Sequence, residues 1–360
     1  MRARIACSTA ADSLGILVVG CGYWGRNYVR IFSELPDAHV AVVCDGSVER
    51  LQAIGAQYPD VLLTTSLDEA LGSADVSAAV VCTPAATHHA VTEQCLRAGL
   101  HVLLEKPMTT TTEEADELLL NAAERSLTLM VGHTFLFNAG VRKVKEYIER
   151  GEVGRIYYLY AQRTSLGPVR SDVDALWDLA PHDISIFGYL LDSEPEWVSA
   201  VGSCVLRSER ADVGFITLGY PGGIVGHIHV SWADPNKVRE VVLVGSNQRI
   251  VFNDTNLLER VRVFDKGIAV APAESTTFGE FAFQLRDGDI VSPVVESSEP
   301  LKTQCASFLE CIRTGRRPLS DGHAGRRVVS VMQAIDRSLA GGGHPVPIIP
   351  EPALTPRLAA

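Results

Sequence analysis

The chain has 360 residues, a net charge of −11 and a pI near 5.4, a balance that argues against nucleic acid or an anionic membrane surface as partner. Apolar residues at 46% and charged residues at 21% supply a full core for two domains or one large one. No apolar run approaches the ~18 residues of a membrane span, and Met1 to Leu14 lacks an apolar stretch fit for a secretory signal, so it reads as an extension before the first strand.

The first third alternates short apolar runs with amphipathic stretches, the pattern of a parallel sheet wrapped by helices. Ile16 to Val19 reads as a buried strand, followed by a glycine turn and a helix from about Gly25 to Leu35. Val40 to Cys44 is a second strand ended by Asp45, with helices at Val48 to Gln57 and Leu67 to Leu71. Ser77 to Cys82 is an apolar strand that Thr83-Pro84 stops, because proline cannot donate to the ladder. His88 to Ala98 reads as a helix capped by Gly99, and His101 to Leu104 as a strand running into Glu105-Lys106-Pro107. Thr112 to Arg125 has helical spacing with acids in its first turn, and Leu127 to Val131 is a further strand. After a helix at Ala139 to Arg150 the pattern changes to long strands between Arg155 and Phe264, broken by turns such as Pro221-Gly222-Gly223. Helices at Thr303 to Arg313 and Ala324 to Leu339 close the chain before a proline- and glycine-rich tail. The whole reads as a Rossmann-type domain joined to an α+β domain.

Gly20-Cys-Gly22-Tyr23-Trp24-Gly25 sits between a strand and a helix, the context in which this fingerprint brings backbone amides to a pyrophosphate. Asp45, twenty residues after Gly25, ends the next strand, where a carboxylate accepts from ribose hydroxyls and repels a 2′-phosphate. That favours NAD over NADP; the plainer alternative is an Asx-turn beside Gly46. Thr83-Pro84 lies at a strand end, where it either lines the same crevice or simply turns the chain into the next helix, and His88 either meets a ligand there or begins its helix. Glu105-Lys106-Pro107 ends the next strand at the same edge, where a lysine can polarise a carbonyl; the plainer alternative is a solvated lysine on a surface loop. In Asp178-Leu-Ala-Pro181-His182-Asp183, Pro181 suits the first position of a helix, placing His182 in its first turn as a proton carrier with Asp178 just before it. The bland alternative makes Asp178 a cap and His182 a polar first-turn residue. The eight cysteines form no Cys-x-x-Cys pair, so they read as reduced cytoplasmic thiols. His227 and His229 share a strand face, but no third ligand accompanies them and no metal is expected.

These motifs in this order resemble the glucose–fructose oxidoreductase / inositol dehydrogenase family, Gfo/Idh/MocA. The resemblance covers about Gly15 to Pro347 and rests on the fingerprint, Cys82-Thr-Pro84 with His88, Gly99 to Pro107, Gly151-Glu-Val-Gly154 and, more weakly, Ser231-Trp232. It implies Lys106, Asp178 and His182 as the catalytic group, with Glu105 and Lys106 also near the cofactor. It also implies a C-terminal domain with a large open, mainly antiparallel sheet, one face of which is often buried between subunits. The chain departs from the family at Leu136, Ala139 and His133, and reads Trp177-Asp-Leu-Ala-Pro before the histidine. Those departures resemble a branch acting on sugars or nucleotide sugars, in which His133 and Trp177 would meet the substrate. Arg163 and Arg170 would pair with a diphosphate, or else are surface charges.

The expected organisation is an extension at 1–14, an NAD-binding domain at 15–134, a substrate and oligomerisation domain at 135–347 and a tail at 348–360. The expected function is a cytoplasmic NAD-dependent oxidoreductase acting on a sugar, nucleotide sugar or cyclitol, assembled as a homodimer or homotetramer. A non-catalytic NAD-binding sensor is the alternative. It would keep the fingerprint and Asp45 without needing Lys106 or His182.

Overall fold

In the computed structural model the described residues are 13–170, 173–206, 210–270 and 283–350. Nearly all of the expected N-terminal extension and most of the tail lie outside them. Two compact units form, one from 13–133 and 301–326, the other from 134–300 and 327–350. None of the described helices is long and apolar enough to cross a membrane.

The first unit is a six-stranded sheet of β1 (Leu14–Val19), β2 (Ala38–Cys44), β3 (Leu62–Thr64), β4 (Ala78–Val81), β5 (His101–Leu104) and β6 (Leu129–Val131). Every pairing is parallel and the order is β3-β2-β1-β4-β5-β6, so the strand order reverses beside β1, the place where such sheets bind ligands at their carboxyl ends. The strands are apolar runs because both faces are covered by helices. These are α1 (Tyr23–Glu34), α2 (Val48–Gly55), α3 (Leu67–Leu71), α4 (His88–Arg97) and α5 (Thr112–Glu124). Ser47, Ser66 and Thr111 cap α2, α3 and α5 by accepting from an amide in the first turn. The edge strand β3 has three residues and gives no periodic signal, so the sequence reading passed over it.

Residues 301–326, which the sequence reading assigns to the second domain, pack with this first unit. The segment runs from α8 (Pro300–Thr314) into the start of α9 (Gly322–Ala340). It covers the open edge of β6. The Val131 amide donates to the Ser320 carbonyl at 2.7 Å, and the Ser320 hydroxyl donates to the Val131 carbonyl at 2.7 Å. Arg326 adds an ion pair with Asp116 on α5 at 2.9 Å. An uncovered edge would otherwise offer bare amides and carbonyls to another chain.

The second unit holds α6 (Ala139–Glu149), α7 (Ala175–Leu191) and a nine-stranded sheet. Its strands are β7 (Ile156–Leu166), β8 (Trp197–Ser203), β9 (Val213–Gly219), β10 (Val225–Ser231), β11 (Ala233–Gly245), β12 (Arg249–Asn253) and β13 (Val261–Phe264). A separate hairpin pairs β14 (Gly267–Val270) with β15 (Phe283–Arg286), while β16 (Ile290–Val291) and β17 (Val346–Pro347) finish the edges. The order is β16-β13-β12-β11-β7-β10-β9-β8-β17, antiparallel throughout except where β7 meets β10. Residues alternate across the sheet, with Ile216, Leu218, Ile228 and Val230 fully enclosed on the face that α7 covers.

Two elements of the second unit begin well before the positions expected from the sequence. The strand expected at Glu240 to Val244 begins at Ala233, because its first part pairs irregularly with β7 around Pro235. The helix expected to start at Pro181 starts at Ala175, and the cap is Asp174, whose carboxylate accepts from the Trp177 amide at 2.8 Å. Pro181 therefore lies inside the helix and denies the Trp177 carbonyl its usual partner, a loss of about 3 kcal/mol. Leu176, Ile184, Phe187 and Leu190 are buried on the same helix, and each contributes roughly 1.5–3 kcal/mol, so packing outweighs the break.

Candidate active site

On the first unit, the glycine turn is built to leave room. A Cβ on Gly25 would stand 1.9 Å from the Gly20 carbonyl oxygen, so helix and turn touch only because it is absent. A Cβ on Gly22 would meet no atom within 4 Å, and that open space is what a pyrophosphate against the α1 amides requires. Beside it Tyr23 is 79% exposed and sits edge-to-face on Trp24 at 5.4 Å.

Asp45 is buried at the end of β2. Its Oδ2 accepts from the Cys21 amide at 2.7 Å and its Oδ1 from the Ser47 amide at 2.8 Å. Burial pushes its carboxyl upward, but the Ser47 and Cys21 hydrogen bonds, aided by Arg50, prevail and hold it below the ordinary value. The group is therefore an anion at neutral pH, tied to the fingerprint itself. It also helps burial push the Cys21 thiol up to about 12, which keeps that sulfur neutral beside the turn. At the end of β4 the Thr83 hydroxyl is buried and has no hydrogen-bond partner among the described residues, as expected of a group reserved for a ligand. Gly22, Asp45 and Thr83 together fit a dinucleotide.

His88 begins α4, the second of its two readings, and its ring lies inside the unit. It is 1% exposed, with Nδ1 2.7 Å from the Pro107 carbonyl oxygen and Nε2 2.8 Å from that of Thr83. The ring bridges the turns after β4 and β5. Lys106 follows β5 directly and is 8% exposed, while Glu105 turns inward. His133, two residues past β6, is enclosed, and its amide donates to the Val131 carbonyl at 2.7 Å.

On the second unit, the early start of α7 puts Asp178 and His182 four residues apart on one helix, where side chains share a face. The Arg170 Nη1 donates to Asp178 Oδ1 at 3.0 Å, so that carboxylate has a cation beside it. Phe135 meets the His182 ring edge-on at 5.1 Å. The Trp177 indole N–H donates to Asp336 at 3.0 Å, and burial raises that carboxyl to about 6 despite the indole bond. Trp177 is thus anchored to α9.

Arg163 is not placed as expected for a diphosphate contact. Its Nε and Nη2 donate to the two Asp183 oxygens at 2.9 and 2.8 Å, both residues are buried, and the guanidinium stacks on Phe135 at 4.2 Å. The fork that would grip a phosphate already grips a carboxylate. Phe135 and Asp183 are the residues that the motif reading did not assign. Asp183 adjoins His182 in the sequence, but nothing local shows that its partner lies twenty residues earlier.

The sequence matches two family profiles. One is the oxidoreductase family with the NAD-binding Rossmann fold, over residues 14–133; the other is the GFO/IDH/MocA C-terminal domain, over 141–251. The chain belongs to the Gfo/Idh/MocA oxidoreductase family. It is an NAD(P)-dependent oxidoreductase whose N-terminal part is an NAD-binding Rossmann domain. Among its relatives is a UDP-N-acetylglucosamine 3-dehydrogenase from Acidithiobacillus ferrooxidans, 29% identical over 87% of this chain and 93% of that protein. An inositol 2-dehydrogenase from Rhizobium meliloti is 24% identical over 90% of this chain and 96% of that one. The solved structure of the Acidithiobacillus enzyme aligns with a TM-score of 0.75 at 27% identity, covering 91% of this chain and 98% of that one. The WlbA dehydrogenase from Bordetella pertussis, in complex with NADH and UDP-GlcNAcA, shares the fold at a TM-score of 0.77 and 24% identity, covering 94% and 100%.

Proposed function

We propose that this oxidoreductase moves a hydride between nicotinamide C4 and a ring carbon bearing a hydroxyl or ketone, on a sugar, nucleotide sugar or cyclitol. The observation that carries the reading is α7, where an acid and a histidine stand one turn apart with Arg170 paired to the acid. NAD, when bound, supplies the hydride acceptor or donor. His182 exchanges the proton with the substrate oxygen, since imidazole is the side chain whose charge changes near neutral pH. Asp178 favours the imidazolium and orients the ring, while Arg170 fixes Asp178. Lys106 provides a cation for the alkoxide that develops as the hydride moves. One arrangement serves both directions.

A nucleotide sugar is the favoured substrate, supported by the likeness to a UDP-N-acetylglucosamine 3-dehydrogenase. Of the two arginines considered for the diphosphate, Arg170 is the better candidate, with a side chain 32% exposed where that of Arg163 is enclosed. His133 and Trp177 remain proposed substrate contacts, and Asp45 supports NAD over NADP through repulsion of a 2′-phosphate. The test is a turnover screen of nucleotide sugars, free sugars and inositols, read by NADH absorbance with NADP in parallel. UDP-linked hexosamines should respond with NAD. Turnover confined to inositols would sink the nucleotide-sugar preference, and turnover only with NADP would sink the role of Asp45.

We further propose a cytoplasmic homodimer or homotetramer joined through the outer face of the second sheet. The seven described cysteines are free thiols, as a reducing compartment keeps them. On that outer face Tyr158, Val201, Phe215 and Val225 are exposed across four neighbouring strands, with His227 and His229 flanking the Phe215 ring. A row of exposed apolar side chains on a sheet is costly in a monomer. A monomer in sedimentation at micromolar concentration would overturn this assembly, and cell fractionation tests the compartment.

A further inference from the structure

Behind Lys106 in the first unit lies a buried polar chain that neither the fingerprint nor the catalytic motifs account for. Glu105 is 6% exposed. A carboxylate at such depth is costly unless its oxygens are hydrogen-bonded. Both oxygens are met. The Tyr28 hydroxyl on α1 donates to Oε1 at 2.7 Å, and the Lys106 amide donates to Oε2 at 3.1 Å. The Gln304 amide nitrogen on α8 in turn donates to the Tyr28 oxygen at 3.0 Å. A Cβ on Gly132 would stand 3.2 Å from Glu105 Oε1, so the glycine closes the pocket tightly around the carboxylate.

Glu105 accepts at both oxygens, so Tyr28 must give its only hydrogen to Glu105 and receive from Gln304. Burial first, and then the charge of Glu105, hold the Tyr28 phenol well above its ordinary range, so it remains a donor at any working pH. The same two causes raise the Cys82 thiol, which stays neutral nearby. Gln304 is fully buried, and its carbonyl oxygen has no partner among the described residues, a loss of about 1–3 kcal/mol that an apolar residue of this size would avoid. Packing alone does not account for an amide here; its N–H₂ is the useful end.

We infer that Tyr28 and Gln304 are positioning residues for Lys106: they fix the Glu105 carboxylate, and through it the Lys106 amide, so that the lysine leaves the sheet edge in one direction. The inference rests on the role proposed for Lys106 above. Tyr28→Phe keeps the ring in the core and deletes the hydroxyl, releasing the hydrogen bond on Glu105 Oε1. With UDP-N-acetylglucosamine and NAD as probe pair, kcat should fall about tenfold, in line with the sensitivity of catalysis to small misplacements, while the NADH dissociation constant stays within about twofold. Hydrogen exchange of the peptide around 104–108, which needs no substrate, should lose protection by on the order of tenfold, with the other peptides of the sheet unchanged. Gln304→Met should give a smaller effect in the same direction, and the double variant should match Tyr28→Phe, because Gln304 acts through the hydroxyl. Wild-type kcat and wild-type protection in both single variants overturn the inference, and so does a parallel fall of kcat, NADH affinity and melting temperature. Lys106→Met separates the two readings. Turnover retained there overturns the role of the lysine; turnover lost there but intact in Tyr28→Phe overturns the clamp alone.

Discussion

His182→Asn is expected to lower turnover by about a thousandfold, within the range for removal of a general acid–base group, while NADH still binds. Asparagine approximates the ring in size and can donate or accept, but it carries no proton that leaves near neutral pH. The helix should persist, because its core face is built from Leu176, Ile184, Phe187 and Leu190, and His182 lies outside that group. Phe135 meets the ring only along an edge, so its loss leaves no buried charge behind. Steady-state rates measured beside NADH fluorescence separate chemistry from binding. If turnover stays within tenfold of the parent, His182 is a polar helix residue and the proton carrier lies elsewhere.

Arg163→Ala is expected to destabilise the second unit by about 3–5 kcal/mol, the usual penalty for leaving one partner of a buried ion pair alone. Asp183 is 1% exposed and loses both its donors, and Phe135 loses the guanidinium that covers its face. Replacing both partners together, Arg163→Met with Asp183→Leu, should recover most of the loss, because no charge is then left without its partner. Urea unfolding followed on the second unit's transition measures both variants. A diphosphate-binding arginine would behave in the opposite way: the alanine variant would keep its stability and raise KM for a nucleotide sugar.

Most of the first unit is legible in the sequence because its elements are local. The strand at His101–Leu104 and the helix at Leu67–Leu71 begin and end where turn residues and apolar runs say they do. Parallel strands buried on both faces read as unbroken Val, Ile and Leu runs, so even short ones stand out. The fingerprint and Asp45 are readable for the same reason: a glycine turn and a strand-ending acid are local features, and the Cys21 amide joins them by donating to the Asp45 carboxylate.

The start of α7 was misread because Pro181 is an excellent first residue by local rules, and only burial of the helix shows that it lies in the interior. The place of residues 301–326 was likewise hidden, since an amphipathic helix does not say which sheet it covers. Arg163 looked available because its partner is separated from it by twenty residues and an intervening turn.

The sequence by itself supplied the residues on which the proposed chemistry rests: the glycines and Asp45 stand out by type and spacing, and the family resemblance singles out Lys106, Asp178 and His182. The tertiary structure alone decided which charges are available for that chemistry. Arg163 is paired with Asp183, His88 bridges two carbonyls, and Glu105 is fixed by Tyr28 and Gln304. The physical reason is that a side chain's intrinsic chemistry is local, whereas its desolvation and its partners are set by chain segments that meet only on folding.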